Sequence, residues 1–122
     1  MTDGAPSPPI DHTTLKALEA DTSRDLMPEL VQVFLKSAGA RIAQITDHAA
    51  AGRLDGIAAE AHALKSSSAT FGASEVRWIS AELEAASKAG DQATIERLAA
   101  GLDQALDAAQ AALEDYVREI SG

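Results

Sequence analysis

Between Met27 and Ala49 the apolar positions Met27, Leu30, Val31, Phe34, Leu35, Ala38, Ile42, Ile45 and Ala49 recur at steps of one, three and four, the signature of one broad helix face. Pro28 falls in the first turn of this helix, where its missing N–H has no intrahelical partner to lose. Gly52 supplies a stop. Ahead of it, a short helix over about 10–20 carries Leu15 and Leu18, three apart and placed to cap a bundle, and the polar stretch Asp21 to Arg24 makes a turn. After Gly52 the pattern returns. Leu54, Ile57, Ala61, Leu64, Ser68 and Phe71 form a seam over about 53–71, ended by Gly72, with Ser74 as the next cap. Val76, Ile79, Leu83 and Ala86 give a further apolar line, closed by Gly90 and Asp91 as stop and cap. Ile95, Leu98, Leu102, Ala105, Ala109, Ala112, Tyr116 and Ile120 then predict one long last helix ending near Ser121.

Four substantial helices joined by short turns must alternate in direction. The pattern therefore predicts an all-α fold, an antiparallel up-down four-helix bundle with a short extra N-terminal helix. Residues 1–9 hold three prolines and no apolar period, which predicts a flexible N-terminal tail before one domain over 10–122. No internal repeat is visible.

Composition narrows the functional classes. Hydrophobic residues make up 46% of the chain, much of it alanine, and aromatics only 3%, which suits closely packed helices. A net charge of −9 argues against a nucleic-acid partner and against an anionic membrane surface. With no cysteine, disulfides, thiolate metal sites and a cysteine nucleophile are excluded. No apolar run has the ~18 residues of a membrane span, and the N-terminus lacks a secretory pattern, so a cytoplasmic protein is the expectation.

Of the three histidines, His12 sits at the start of the short first helix in unremarkable surroundings. His48 lies near the end of the second helix, where a cation is mildly favourable. His62 differs. With about 100° per residue it lies one step off the Ala61/Leu64 seam, on the flank of the third helix. Its own face holds Asp55, Ala58, Ala59, Lys65, Ser66 and Ala69, mostly small, so the imidazole stands proud of its neighbours. Lys65, one turn on, is unhelpful beside a neutral imidazole but favourable beside an imidazole carrying a phosphoryl dianion. A solvated His–Lys face remains the plain alternative at this point. Metal binding has little support, because no His, Asp or Glu stands four residues from His62. Serines 66 to 68 lack the exposed elbow of a hydrolase nucleophile, and no glycine-rich phosphate loop is present.

The run Ala61-His62-Ala63-Leu64-Lys65-Ser66-Ser67-Ser68-Ala69-Thr70-Phe71-Gly72-Ala73 resembles the signature of histidine phosphotransfer domains of bacterial two-component phosphorelays. In that family the pattern is His, any residue, Leu, Lys, a small residue, further Ser or small residues, then a hydrophobe and Gly. Ile10-Asp11 with Leu15 and Leu18, Phe34-Leu35, Leu83-Glu84 and Gly90-Asp91 resemble the family's other landmarks. Two positions depart from it: Ser66 where many members have Gly, and Gly52-Arg53 where Gly-Asp is frequent, which removes a favoured helix cap.

The resemblance implies a phosphoryl carrier rather than a turnover enzyme. His62 would be the nucleophile, taking the group from a receiver-domain phospho-aspartate and passing it to another receiver. Lys65 and Ser66 would stabilise the phosphoryl oxygens, Ser66 by donating a hydrogen bond and by permitting close approach. Ala58, Ala59, Ala69, Glu84 and Lys88 are candidates for receiver docking, the last two as polar groups lent by the neighbouring helix. The implied partners are response-regulator receivers and a sensor (hybrid) histidine kinase, with Mg²⁺ on the receiver, no cofactor on this chain, and a monomer as the expected state. Two alternatives stay open: a bundle that docks receivers without being phosphorylated, and a phosphoacceptor domain excised from a hybrid kinase.

Overall fold

The computed structural model describes residues 8–122. The tail expected over 1–9 falls largely on residues 1–7, which lie outside the described residues. Pro8 and Pro9 are exposed and precede the first helix.

Helix α1, His12–Asp21, begins at Asp11, whose carboxylate accepts from the Thr13 amide at 3.0 Å and the Thr14 hydroxyl at 3.1 Å. A 3-10 turn, Arg24–Leu26, leads into α2, Met27–Ala51, with Pro28 in its first turn as expected. Then follow α3, Leu54–Thr70, and α4, Ser74–Ala89. Gly52, Gly72 and Gly90 end α2, α3 and α4 with φ near +70°, the left-handed turn for which glycine carries no side-chain penalty.

The single long last helix of the sequence reading is instead two helices, α5, Gln92–Ala100, and α6, Leu102–Ser121. The break falls at Gly101, whose amide bonds back three residues to the Leu98 carbonyl at 3.1 Å. Apolar spacing runs unbroken across this point. Glycine's poor helix propensity, about 1 kcal/mol below alanine, interrupts the backbone without disturbing the stripe. A second correction concerns Ser74. It does not cap α4; Ala73 occupies the cap position, and the Ser74 hydroxyl donates to the Gly72 carbonyl at 3.3 Å. As the sequence implied, Arg53 gives α3 no side-chain cap.

The bundle is a ring in which α2 packs on α3, α3 on α4, α4 on α5 and α6, and these close back on α2. Its core contains the expected stripes: Val31, Phe34, Ile42 and Ile45 of α2, Ile57, Ala61 and Leu64 of α3, and Val76, Ile79 and Leu83 of α4 are buried. On α6 Leu102, Ala109 and Leu113 are fully buried, with Ala112 only partly covered. Helix α1 lies across one end of the bundle. Leu15 is buried there, the Asp11 amide donates to the Gly72 carbonyl at 2.7 Å, and Glu19 at the far end accepts from the Tyr116 hydroxyl at 2.5 Å. No described helix is long and apolar enough to cross a membrane.

Candidate functional site

The closest helix pairing around His62 is that of α3 with α4, joined through Phe71, Gly72 and Ala73. On α4 the residues Ser80, Glu84 and Ser87 recur at steps of four and three and are all buried. The two serines satisfy their hydroxyls locally, donating to the Val76 and Leu83 carbonyls at 2.7 Å each. Small side chains on this stripe let α3 approach closely, and Glu84 alone extends across to it.

The result is a four-residue polar cluster. Glu84 Oε1 accepts from Lys65 Nζ at 2.7 Å. Glu84 Oε2 lies 3.0 Å from His62 Nδ1 and accepts from Lys88 Nζ at 3.3 Å. The Glu84 side chain is only 10% exposed, whereas the His62 ring is 62% exposed. The Lys65 ammonium holds the Glu84 carboxyl down at about 2, with Lys88 and His62 assisting and burial opposing. An ionised carboxylate can only accept. The His62 Nδ1 must therefore carry its proton, and in the neutral ring the lone pair belongs to Nε2.

Glu84 and Lys88 thus stand with His62 and Lys65, as the sequence suggested for the neighbouring helix. The sequence reading missed that Glu84 is the centre of the group. It also treated Lys65 as poorly matched to a neutral imidazole; the carboxylate between them removes that mismatch. The available signal was a polar residue at core spacing on α4, between Ser80 and Ser87. Ser66, Ala59 and Ala69 are exposed on the His62 face and Ala58 is half-buried; none makes a side-chain hydrogen bond to the cluster. Asp55, two turns before His62, is exposed.

The other histidines are elsewhere. His12 is exposed, with its ring centroid 6.1 Å from that of Tyr116. His48 lies in the last turn of α2, as expected from the sequence, and its Nδ1 accepts from Arg53 Nε at 2.9 Å. Its ring lies over Gly56, where a Cβ would come within 2.4 Å of it. Beside His62, Glu60 pairs with Arg41 of α2 at 2.9 Å and ties α3 to α2. Among the described residues no group of three or more His, Cys, Asp or Glu is arranged to hold a metal ion.

The family model described as Hpt domain matches residues 29–112, well over half of the chain. The protein belongs to the Hpt domain family. Membership carries a histidine phosphotransfer role in phosphorelays, with kinases and receiver domains as the general class of partner. The fold is similar to the crystal structure of histidine-containing phosphotransfer protein B (HptB) from Pseudomonas aeruginosa PAO1, with a TM-score of 0.86 and 19% identity over 93% of this chain and 97% of that one. No curated protein sequence matches the chain.

Proposed function

We propose that His62 is the phosphoryl acceptor of this domain, that it takes the group from a receiver phospho-aspartate, and that it passes the group to a second receiver. The observation that carries this reading is the exposed ring, with Nδ1 bonded to buried, ionised Glu84, which leaves the lone pair on Nε2. On arrival of a donor, the Nε2 lone pair attacks phosphorus in line. The bond from phosphorus to the aspartyl oxygen breaks, and its electron pair leaves with the carboxylate. Onward transfer is the reverse with a new carboxylate. Lys65, one turn from the ring, neutralises charge on the phosphoryl oxygens. Ala58, Ala59, Ser66 and Ala69 keep the approach low, and Lys88 and Glu84 border it from α4. Magnesium belongs to the receiver in this scheme, and this chain acts as a carrier rather than as a turnover enzyme. A module that only docked receivers would have no use for a buried carboxylate orienting an exposed imidazole.

The test is phosphoryl uptake from a panel of phosphorylated receivers. Wild-type protein is expected to take up label that is lost in acid and retained in alkali, as a phosphoramidate is. His62→Gln is expected to take up none. Label on the His62→Gln protein would overturn the assignment.

A further inference from the structure

A cavity of about 270 Å³ lies where the start of α1 meets the turn that joins α3 to α4. Its wall includes Asp11 and Thr14 from the α1 end, Ser68 from α3, and Ser74 and Arg77 from α4. None of these residues belongs to the His62, Lys65, Glu84 and Lys88 cluster. The volume falls just under the ~300–1,000 Å³ of pockets for drug-sized ligands, so an occupant is small. Ser68 is fully buried, and its hydroxyl is the one buried side-chain polar group among the described residues with no hydrogen-bond partner. A buried hydroxyl left unpaired is costly, so its place on a cavity wall points to an occupant that bonds it.

Acceptors and donors border this cavity from different sides. On the α1 side the Thr14 hydroxyl has spent its proton on the Asp11 carboxylate, at 3.1 Å, and lone pairs remain on both groups. Asp11 also accepts from the Thr13 amide, but a carboxylate holds about four acceptor sites. The α4 side supplies donors. Arg77 brings its guanidinium N–H groups, and α4 starts at Ser74 with no side-chain cap on its first amides. Neither Asp11 nor Arg77 enters an ion pair among the described residues. One carboxylate and one guanidinium thus border the same cavity without neutralising each other.

We infer that this cavity binds a small zwitterion of the α-amino-acid class. Its carboxylate sits on Arg77 and the start of α4, its ammonium on Asp11 and Thr14, and the Ser68 hydroxyl is a further partner from the buried wall. A plain anion would meet the Asp11 carboxylate. A plain cation would meet Arg77 and the positive end of the α4 dipole. A water molecule can bond Ser68 but carries no charge for either side. A zwitterion matches both.

The full chain, isotopically labelled in nitrogen, is titrated with L-serine, acetate, methylammonium and inorganic phosphate, and the backbone amides of Gly72, Ser74 and Glu75 are followed by magnetic resonance. L-Serine is expected to give saturable shifts there, with a Kd at least about tenfold below that of the other three. Arg77→Gln and Ser68→Ala should each weaken L-serine at least about tenfold while the rest of the spectrum stays in place. Asp11→Asn keeps an oxygen for the Thr13 amide and loses the charge. It should weaken L-serine and strengthen acetate, an opposition that a merely structural role would not produce. Absence of saturable shifts with L-serine would leave the cavity to water and overturn the inference. Acetate or phosphate bound as tightly as L-serine would overturn it in favour of a simple oxyanion site. L-Serine binding undiminished in Arg77→Gln and Asp11→Asn would overturn it as well. None of these measurements involves phosphoryl transfer, so their failure leaves the reading of His62 standing.

Discussion

The Lys65 ammonium of α3 is bonded to Glu84 of α4, at 2.7 Å, in the unphosphorylated protein. The lysine therefore waits beside the ring on a buried carboxylate instead of moving freely in solvent. Its side chain is a third exposed, and four methylene groups give it the reach to turn toward a phosphoryl group on the next turn of the same helix.

Replacing Lys65 by alanine should therefore affect transfer more than folding. A charge-assisted contact to a phosphoryl oxygen contributes about 1.5–3 kcal/mol, so Lys65→Ala is expected to slow transfer by roughly ten- to a hundredfold. Glu84 retains Lys88 and His62 as donors, so helical content should be kept, although loss of the carboxylate's shortest contact should lower the melting temperature. Transfer at the wild-type rate would show that the lysine serves only to pair Glu84.

Apolar periodicity located the bundle because each core stripe repeats at helical spacing, and Ile57, Ala61, Leu64 and Ser68 are all buried as that spacing requires. It passed over Gly101 because the stripe from Leu98 to Leu102 continues in phase through the break. Leu113 was missed in favour of Ala112 because neighbouring apolar residues on a broad stripe differ by one step only. The site was half legible. His62 and Lys65 are one turn apart on one helix, so sequence distance carries their proximity. Glu84 lies 22 residues from His62, and its role depends on the register of α4 against α3. No local pattern encodes that register. Ser80 and Ser87 hinted at it, because polar side chains at core spacing mark a face that must meet a partner closely.

Gly72 and Gly90 share nearly the same left-handed conformation, but their surroundings differ. A Cβ on Gly90 meets nothing within 4 Å, whereas a Cβ on Gly72 comes 2.7 Å from the Asp11 carbonyl oxygen and 3.1 Å from Thr14 Cβ. Gly90→Ala should cost about 1–2 kcal/mol, the ordinary penalty of this conformation for an L-residue. Gly72→Ala should cost clearly more, because α1 must also shift from its seat on the α3–α4 turn. Chemical denaturation of the two variants measures the difference. Equal losses would show that the seat of α1 contributes nothing.

The Tyr116 hydroxyl is pushed up to about 12 by burial and by its bond to Glu19. A raised value means that the folded protein prefers the neutral phenol. The resulting stability is fully present below the unfolded value near 10 and is lost as pH rises through about 12. The chain has one tyrosine, so near-ultraviolet absorbance of tyrosinate reads it directly. Titration of the folded protein is expected well above that of the denatured chain, and Tyr116→Phe is expected to flatten the alkaline loss of stability. Coincident titration of folded and denatured protein would show that the latch between α6 and α1 is open in solution.

Ser66 offers the sharpest test of how a receiver reaches His62. It lies one turn beyond His62, on the same flank of α3, and is exposed, so a larger side chain there projects outward and leaves the core untouched. Its face is otherwise low: Ala59 and Ala69 are exposed and Ala58 is half-buried. A small phosphodonor needs only the ring, but a receiver must bring a whole domain against this surface to place its aspartate at Nε2. Ser66→Trp is therefore expected to keep its helical content and to accept phosphoryl from phosphoramidate as the wild type does. Transfer from a receiver should fall by at least about tenfold, equivalent to roughly 1.4 kcal/mol of barrier. Loss of both activities would indicate that the indole masks the ring itself. Undiminished receiver transfer would mean that the receiver approaches from another side, with the α4 edge at Lys88 as the remaining route to Nε2.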